Sequence, residues 1–357
     1  MILQGRVPTP PRISVVLPVR NGAQFVREAV ESVLTQTFRD LELIVLDDGS
    51  TDETPGIIRS FADPRVVLVS GAPRGLVAVL NEGFDRARGE FIARMDADDV
   101  SLPERLERQV LFFERNPDIG IAGCAVMRMD EAGCDQGVQS VPEGDLGIRW
   151  TGLLTTPFAH PTILLRRDLV ERHAFRYDER RPTVEDYDLW MRLLAVTRGG
   201  NLPEPLLRYR VHPGSVTIER RTSQLAAHDA VASEAIRNTL PGARVLPEQV
   251  ALLRRVFVSR GPVEPEPGGP ERIRASTLFV SLLEEFLRCR GEDNPEAASR
   301  LASEQASRIA RVAFRPPLGP GWKALLERLL NLDPGLPWAL LAALPRAVAR
   351  RKPGEGE

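Results

Sequence analysis

The sequence predicts an α/β fold in which helices flank a mixed, mostly parallel sheet, followed by an α-helical C-terminal region. The first observation is a set of short apolar, β-branched runs, of the kind buried on both faces of a parallel sheet: 13–19, 43–46, 66–70 and 90–95. The second is that segments with helical spacing of apolar residues separate these runs. The third is that strand patterns end near residue 215, where amphipathic stretches such as 273–288 take over.

The predicted helices begin at recognisable signals. The first follows an Asn-Gly signal at 21–22 and places apolar residues at helical spacing. The second begins at Ser50, Thr51 or Asp52, each a candidate cap, and the third runs over 76–87. Beyond residue 100 the pattern is mixed, and the elements expected there are a charged helix over 103–115, strands near 119–127 and 161–166, and a helix over 184–196.

These elements predict an N-terminal tail over 1–11, a catalytic domain over 12–218 and a helical region over 219–357. The stretch 261–270 is a candidate linker because it is rich in Pro and Gly. The segment 336–354 joins an apolar stretch to a basic cluster. This composition suits either a peripheral membrane contact or, more simply, a terminal packing helix. The helical region is also a candidate for homodimer formation.

Composition excludes several classes of protein. The 357-residue chain is 43% hydrophobic, enough for at least one large core, and its formal net charge of −2 argues against a nucleic-acid binder. The 3 cysteines have no CxxC spacing, so neither a disulfide framework nor a zinc site is indicated. With no signal peptide or membrane-spanning run of about 18 apolar residues in view, a cytoplasmic protein is expected.

Two carboxylate-rich segments, 47–50 and 96–99, follow predicted parallel strands and should therefore share one cleft. Taken alone, the Asp96, Asp98 and Asp99 cluster has three interpretations. It could be a solvated loop, Asp99 could cap the following helix, or the carboxylates could bind a hard cation such as Mn²⁺ or Mg²⁺. A cation bound through one or two carboxylates and substrate phosphates would also offset the repulsion among the three charges.

The order of motifs along residues 12–215 closely resembles family 2 of the glycosyltransferases. The matching motifs are LPVRNGAQF at 17–25, LDDGSTDET at 46–54, ARMDADD at 93–99, AHP at 159–161, EDYDLWMRL at 185–193 and RYRVHPGS at 208–215. The resemblance implies the GT-A fold and inverting transfer from a nucleotide-diphosphate sugar, with Mn²⁺ or Mg²⁺ as cofactor. A saccharide or lipid-linked hydroxyl would be the acceptor. It identifies neither the sugar nor the linkage.

The resemblance assigns a nucleotide site to the first half of the chain. Pro18, Val19 and Arg20 would form its floor, and Asp48 would accept a hydrogen bond from the N–H of a uracil or thymine ring, supported by Asp47. An ionised carboxylate only accepts, which suits that edge of the base. The alternative is an ordinary turn leading into a capped helix.

Further donor contacts are expected from the next segments. Arg74 and Asn81 lie in the part that the family places beside the nucleotide, although a loop arginine can equally be solvated. Asp96 would contact ribose or stabilise the site, and Asp98 would bind the cation, with Asp99 competing for that role. For Arg105, one helical turn from Gln109, a salt-bridged exposed face is expected rather than substrate contact.

The resemblance places the catalytic base on the helix that begins near residue 184. Asp186 would deprotonate the acceptor and Glu185 would position acceptor or base, whereas the simpler interpretation is that both favour the positive end of a helix. Trp190 is expected to pack, with contact to donor or acceptor sugar as the alternative.

Two histidines and an arginine complete the candidate site. His160 either borders the donor sugar or is a structural histidine. His212 either approaches the diphosphate or joins the metal ligands, and Arg210 could pair with phosphate through its fork of donors.

The sequence also allows a comparison of glycosyl transfer with three other functions. A dinucleotide-dependent oxidoreductase is disfavoured because no G-x-G-x-x-G follows the first strand, and a sugar-1-phosphate nucleotidyltransferase because no early Gly-rich phosphate loop is present. A non-catalytic nucleotide- or glycan-binding module of the same fold remains the alternative.

Overall fold

The computed structural model describes residues 10–213, 221–258, 266–315, 318 and 320–336. The chain divides into one compact unit of Met1–Ile148 with Thr156–Ala227 and a second of Arg149–Thr155 with His228–Glu357. Several predicted features lie outside the described residues: tail residues 1–9, the boundary at 218/219, the first half of the linker, 261–265, and the C-terminal stretch 337–354.

The first unit contains one nine-stranded sheet in the order β3-β2-β1-β4-β8-β6-β9-β5, with β7 paired to β6. β1, β2, β3 and β4 run parallel, and β6 runs parallel to β9 along most of its length. The strands are β1 Ile13–Val19, β2 Leu41–Asp47, β3 Val66–Ser70, β4 Phe91–Arg94, β5 Val100–Ser101, β6 Ile119–Met129, β7 Asp135–Gln139, β8 Leu164–Arg166 and β9 Arg198–Arg210.

Helices flank this sheet and make up the second unit. Those that begin before residue 200 are α1 Val26–Leu34, α2 Thr54–Arg59, α3 Leu76–Arg86, α4 Arg105–Arg115, α5 Gly144–Gly152, α6 Arg167–Arg172 and α7 Glu185–Leu194, with a 3-10 helix at His160–Thr162. The later helices are α8 Arg221–Thr239, α9 Pro247–Phe257, α10 Gly269–Arg290, α11 Pro295–Ala313 and α12 Trp322–Leu332. No helix in the described part of the chain is long and apolar enough to cross a membrane.

The strand registers bring the predicted acidic segments to one edge of the sheet. Val19 pairs with Asp47 at the ends of β1 and β2, and Val16 pairs with Arg94 at the end of β4. Every residue of β1, β2 and β4 is buried. Burial on both faces was expected for β3 as well, and this is wrong, because β3 is the edge strand and is only partly covered.

The two cap predictions have different outcomes. Asp52, one of the candidate caps, accepts the N–H of Thr54, the first residue of α2, at 3.1 Å, and it also accepts the N–H of Ala23 in the loop before α1. Asp99 caps no helix, since α4 follows Glu104 and Asp99 accepts a hydrogen bond from β9. Both carboxylates therefore connect segments that are far apart in sequence.

The second unit has an aromatic core of its own. Trp150 packs against Phe279 and Phe286, with ring centroids 5.0 and 5.4 Å apart, and Phe257 stacks on Phe279 at 4.3 Å. Arg254, which is nearly buried, donates to the carbonyl of Leu154 within the same unit. Burial of these rings and not helix propensity accounts for most of the stability of such a helical unit.

Candidate active site

The turn after β2 is built by its own acidic side chains. Asp47 accepts the N–H of Ser50 at 3.0 Å, while Gly49 adopts a φ of +71° at a point where a Cβ would lie 2.6 Å from Pro73. Asp48 accepts the backbone N–H groups of Arg74 and Gly75 at 2.6 and 2.9 Å, one with each oxygen. Each oxygen has a second lone pair, so Asp48 can still accept from a bound base.

The end of β1 lies beside this turn. The carbonyl of Val19 accepts the N–H of Asp48 at 2.9 Å. Pro18 and Val19 are buried, and Arg20 is exposed. The predicted floor of the nucleotide site is thus a rigid strand end followed by one solvent-facing cation.

The structure engages both predicted side chains of the next segment in protein contacts. Arg74 forms an ion pair with Glu82 on α3 and is half exposed. Asn81 donates to the carbonyl of Tyr177 and accepts the Tyr177 N–H. In this structure, therefore, Asn81 holds another part of the site, and its role beside the nucleotide stays a prediction.

Asp96, Asp98 and Asp99 form a tight acidic group after β4, with one oxygen of each within 4.8 Å of the others. Asp96 forms an ion pair with buried Arg94. Asp98 Oδ2 lies 3.0 Å from His212 Nε2. Asp99 accepts the N–H of Arg210 at 2.8 Å through Oδ1, whereas its Oδ2 is buried without a hydrogen-bond partner.

Burial and the crowding of negative charge both act on this acidic group. Burial, followed by the charges of Asp96 and Asp98, raises the pKa of Asp99 well above its usual range. Burial likewise raises the pKa of Asp96, against the opposing effect of Arg94. A divalent cation would relieve both the repulsion and the unpaired oxygen of Asp99, and its preference for oxygen ligands matches the residues present. The donor set of Asp98, Asp99 and His212 therefore fits Mn²⁺ or Mg²⁺.

Arg210, a candidate for pairing with phosphate, is buried and forms hydrogen bonds to three segments of the protein. Its Nε donates to the carbonyl of Asp98 at 2.8 Å, its Nη1 to the carbonyl of Glu131 at 3.0 Å, and its Nη2 to Glu28 at 2.6 Å. All three guanidinium nitrogens are therefore engaged within the protein, and a phosphate would have to share or displace these contacts.

The expectation that Arg105 lies on an exposed, salt-bridged face is wrong. Arg105 and Gln109 are 1% and 0% exposed. Arg105 Nη2 donates to the carbonyl of Arg94 at 2.8 Å, and Gln109 Nε2 donates to the carbonyl of Thr162 at 2.7 Å. Burial lowers the pKa of Arg105 to about 10. These side chains connect α4 to the end of β4 and to the 3-10 helix that carries His160.

Glu185 and Asp186 open α7 on the other side of the site. Burial, followed by the charge of Glu185, raises the pKa of Asp186 to about 7. A carboxylate that merely stabilised a helix N-terminus would have a lowered pKa. Glu185 is 7% exposed, and its Oε2 is buried without a hydrogen-bond partner. Both carboxylates are therefore placed at an energetic cost to folding, as is common for groups with a chemical role.

An aromatic group backs α7. His160 Nε2 lies 3.0 Å from the Tyr177 hydroxyl, and Trp190 packs edge-on against both rings. Burial holds the pKa of His160 well below its usual range, so the imidazole is neutral. Trp190 is fully buried, so its indole is covered by protein in this structure.

Two residues of this site were missed from the sequence, Arg94 and Tyr177. Arg94 is 2% exposed, and its charge acts on Asp96, Asp99 and Asp186 together. The available signal was an arginine inside an otherwise apolar strand, where a buried charge needs a partner. Tyr177 gave no comparable signal, because its neighbours in sequence are ordinary loop residues.

Together these features define an α/β enzyme whose site lies at the carboxyl ends of parallel strands, with acidic groups on two sides. The family model for Glycosyl transferase family 2 matches residues 14–174. The chain is 35% identical over 229 residues to the putative glycosyltransferase EpsE of Bacillus subtilis, covering 62% of this chain and 80% of that protein. It is 32% identical over 209 residues to the O-antigen biosynthesis glycosyltransferase WbnJ of Escherichia coli, covering 56% and 80%.

The chain therefore belongs to glycosyl transferase family 2, as the motifs predicted. Solved structures confirm the GT-A fold. S. aureus TarS 1-349 in complex with UDP-GlcNAc superposes with a TM-score of 0.55 at 17% identity, covering 90% of both chains. The mannosyltransferase PcManGT from Pyrobaculum calidifontis, in complex with GDP-Man and Mn²⁺, gives a TM-score of 0.51 at 20% identity, covering 91% of this chain and 86% of that one.

Proposed function

We propose that this protein is an inverting glycosyltransferase that moves a sugar from a nucleotide-diphosphate donor, a UDP-sugar, to a hydroxyl acceptor. The observation that carries the proposal is the meeting of two acidic groups from distant segments. Asp96, in the group after β4, lies close enough to Glu185 of α7 for their charges to interact. The acidic group after β4 suits the cation and the diphosphate of a donor. The acidic group on α7 suits the acceptor.

The chemistry is a single displacement at the anomeric carbon. Asp186 accepts the proton of the acceptor hydroxyl while the acceptor oxygen forms a bond to that carbon. The bond to the diphosphate oxygen breaks, and the diphosphate leaves with the electron pair. Attack from the face opposite the leaving group inverts the configuration. A base with a pKa of about 7 suits this step, because it is partly deprotonated near neutral pH and still basic.

Mn²⁺ or Mg²⁺ is the proposed cofactor, with Asp98, Asp99 and His212 as its protein ligands. When bound, such an ion stabilises the negative charge that develops on the departing diphosphate. The protein prepares this position before any donor arrives, since Arg210 holds both the carbonyl of Asp98 and, through its own N–H, the carboxylate of Asp99.

The choice of donor and pathway rests on the relatives. TarS was solved with UDP and with UDP-GlcNAc, and Asp48 retains acceptor capacity for a uracil N–H. The names of relatives refer to O-antigen and amylovoran biosynthesis, the latter for AmsE of Erwinia amylovora, which is 29% identical over 204 residues and covered over 73% of its length. These names support a role in cell-surface polysaccharide or glycoconjugate synthesis, with a saccharide or lipid-linked acceptor.

The test is UDP release from a panel of UDP-sugars in Mn²⁺, Mg²⁺ or EDTA, with and without candidate acceptors. We expect metal-dependent release from one donor, lost in Asp98→Ala and in Asp186→Asn. UDP binding should survive in Asp186→Asn, since that side chain faces the acceptor. Asp168→Asn, at an exposed position of α6, is the matched control and should keep full activity.

Two outcomes would contradict the proposal. Release that is equal in Mn²⁺ and in EDTA would remove the cation from the mechanism. Tight UDP-sugar binding with no turnover under any metal or acceptor would favour the non-catalytic binding module instead.

A further inference from the structure

The Phe25 ring contacts the side chains of both His212 and Arg210. Its ring centroid is 5.2 Å from that of the His212 imidazole, at an interplanar angle of 50°. On the same phenyl ring, the Arg210 guanidinium carbon lies 4.6 Å from the centroid. Both distances are within the range of aromatic and cation–π attraction. The three side chains are therefore in contact through the phenyl ring, and this group is here called the Phe25 stack.

The stack rests on a fixed base. Arg210 is 4% exposed and donates to Asp98, Glu131 and Glu28, so its guanidinium plane is held from three directions. A ring that packs on this guanidinium plane is therefore held in a fixed position. The other end of the stack is His212, whose Nε2 lies 3.0 Å from Asp98 Oδ2.

Core packing does not account for Phe25. It precedes α1 at the N-cap position, and its side chain makes no capping bond. Among the described residues, neither large apolar cluster of the first unit includes it, whereas Phe61, which is also partly buried, packs against one of them. An aromatic side chain that contacts both a cation and an imidazole is better explained by what it holds in place.

We propose that Phe25 is a positioning residue that orients His212, so that its Nε2 faces Asp98 and the bound divalent cation. This rests on the proposed function, because it assigns His212 to the cation site. Loss of a group that orients a metal ligand commonly lowers metal affinity tenfold to a hundredfold. With a small aliphatic side chain at position 25, the imidazole would lose its stacking partner and sample other rotamers.

The test measures Mn²⁺ affinity in the presence of UDP, from the electron paramagnetic resonance signal of free Mn²⁺. We expect Phe25→Leu to weaken Mn²⁺ binding about tenfold and Phe25→Tyr to restore it. The double variant Phe25→Leu with His212→Ala should bind Mn²⁺ as His212→Ala alone does, because Phe25 acts only through the imidazole. Phe61→Leu is the matched control, since Phe61 carries a similar cation–π contact from Arg27 at 5.5 Å.

A second readout needs no metal. Nitrogen-15 spectra of the His212 imidazole should show one ordered ring in the wild-type protein and in Phe25→Tyr, and an averaged ring in Phe25→Leu. The control Phe61→Leu should leave these signals unchanged.

Several results would overturn the inference or separate it from the proposed function. Unchanged Mn²⁺ affinity and unchanged imidazole signals in Phe25→Leu would show that Phe25 orients nothing. Additive losses in the double variant would show that it acts elsewhere. If the wild-type protein binds no Mn²⁺ with UDP, the proposed cation function fails, and ordered imidazole signals that depend on Phe25 would then support positioning of His212 alone.

Discussion

Asn81 holds Tyr177 by both of its backbone groups. Its Nδ2 donates to the Tyr177 carbonyl at 3.0 Å, and its Oδ1 accepts the Tyr177 N–H at 2.9 Å. The side chain of Tyr177 then reaches His160, and its phenol lies in the field of Asp186 and Asp96. A residue on α3 thereby fixes a ring between the two acidic groups of the site.

Replacing Asn81 with Leu should lower both stability and activity. Two partly buried backbone groups lose their partner, at a cost of about 2 kcal/mol, and Tyr177 is no longer fixed beside Asp186. Thermal unfolding and steady-state UDP release measure the two effects. Asn116→Leu is the matched control, because Asn116 also bonds a backbone carbonyl but at the end of α4. It should lose stability and keep kcat, and an equal loss of kcat in both variants would contradict the role of Asn81.

The activity should depend on pH through Asp186. Its pKa is about 7 against an ordinary 3.8, and the base acts only when deprotonated. The value of kcat/KM should therefore rise with pH, about tenfold per unit below 7, and level off above it. Glu185→Gln removes the neighbouring negative charge and should move this acid limb to lower pH. If kcat/KM of the wild-type protein instead levelled off near pH 4, the assignment of Asp186 as the base would be contradicted.

The same pKa predicts a stability change in Asp186→Asn. The folded-state pKa is raised above the unfolded value, so ionisation is disfavoured in the fold and the penalty grows as pH rises from about 4 to 7. Asn carries no charge, so the variant does not incur this ionisation penalty. We expect Asp186→Asn to raise Tm by about 2–4 °C at pH 8 and to have no such effect at pH 4. An equal Tm shift at both pH values would indicate a cause other than the charge.

Arg105→Met tests the buried arginine behind the acidic group. Met has a similar volume, and removing a buried charge offsets the lost hydrogen bonds, so Tm should change by no more than about 2–4 °C. The carbonyl of Arg94 loses its donor, and displacement of the segment that leads to Asp96 should lower kcat/KM at least tenfold, to about a hundredfold. Arg108→Met, an exposed position on the same helix, should have no effect on kcat/KM. Unchanged activity in Arg105→Met would refute the connection.

Thr183 is strained immediately before α7, the helix that carries the proposed base. Its φ is 78°, a conformation that costs a β-branched residue about 1–3 kcal/mol. Asn tolerates this conformation, so Thr183→Asn should raise Tm by about 2–4 °C without changing kcat, since the backbone keeps its path. Ala174, with a φ of 51°, offers the parallel change Ala174→Asn with the same sign. A fall in Tm in both variants would show that these conformations carry no strain.

Much of the fold was predictable because its signals are local. Buried parallel strands must be apolar along their whole length, so β1, β2 and β4 are visible as runs of sequence. The shared location of the two acidic segments was predictable because ligands bind at the carboxyl ends of such strands. β3 was misjudged because its composition matches a central strand, and only the strand order shows that it lies at the edge.

The burial of three arginines at the site was not predicted, for one common reason. Arginine looks like a surface residue in sequence, yet Arg94, Arg105 and Arg210 are all nearly buried. What permits their burial is partners from distant segments, such as Glu28 for Arg210 and the Arg94 carbonyl for Arg105. No periodicity records such pairs. The experiments above test the predicted roles of Asp98, Asp186 and His212, and the role of Asp48 stays a prediction.

The sequence by itself determined the family, the α/β architecture and the two acidic segments, because motifs, strand periodicity and charge placement are written in consecutive residues. Only the tertiary structure decided which side chains face one another across the site. The contacts of Asn81 with Tyr177, of Phe25 with His212 and of Asp99 with Arg210 each join segments separated by roughly a hundred residues or more. Such pairings depend on chain topology and on the burial of charge, which a local pattern cannot encode.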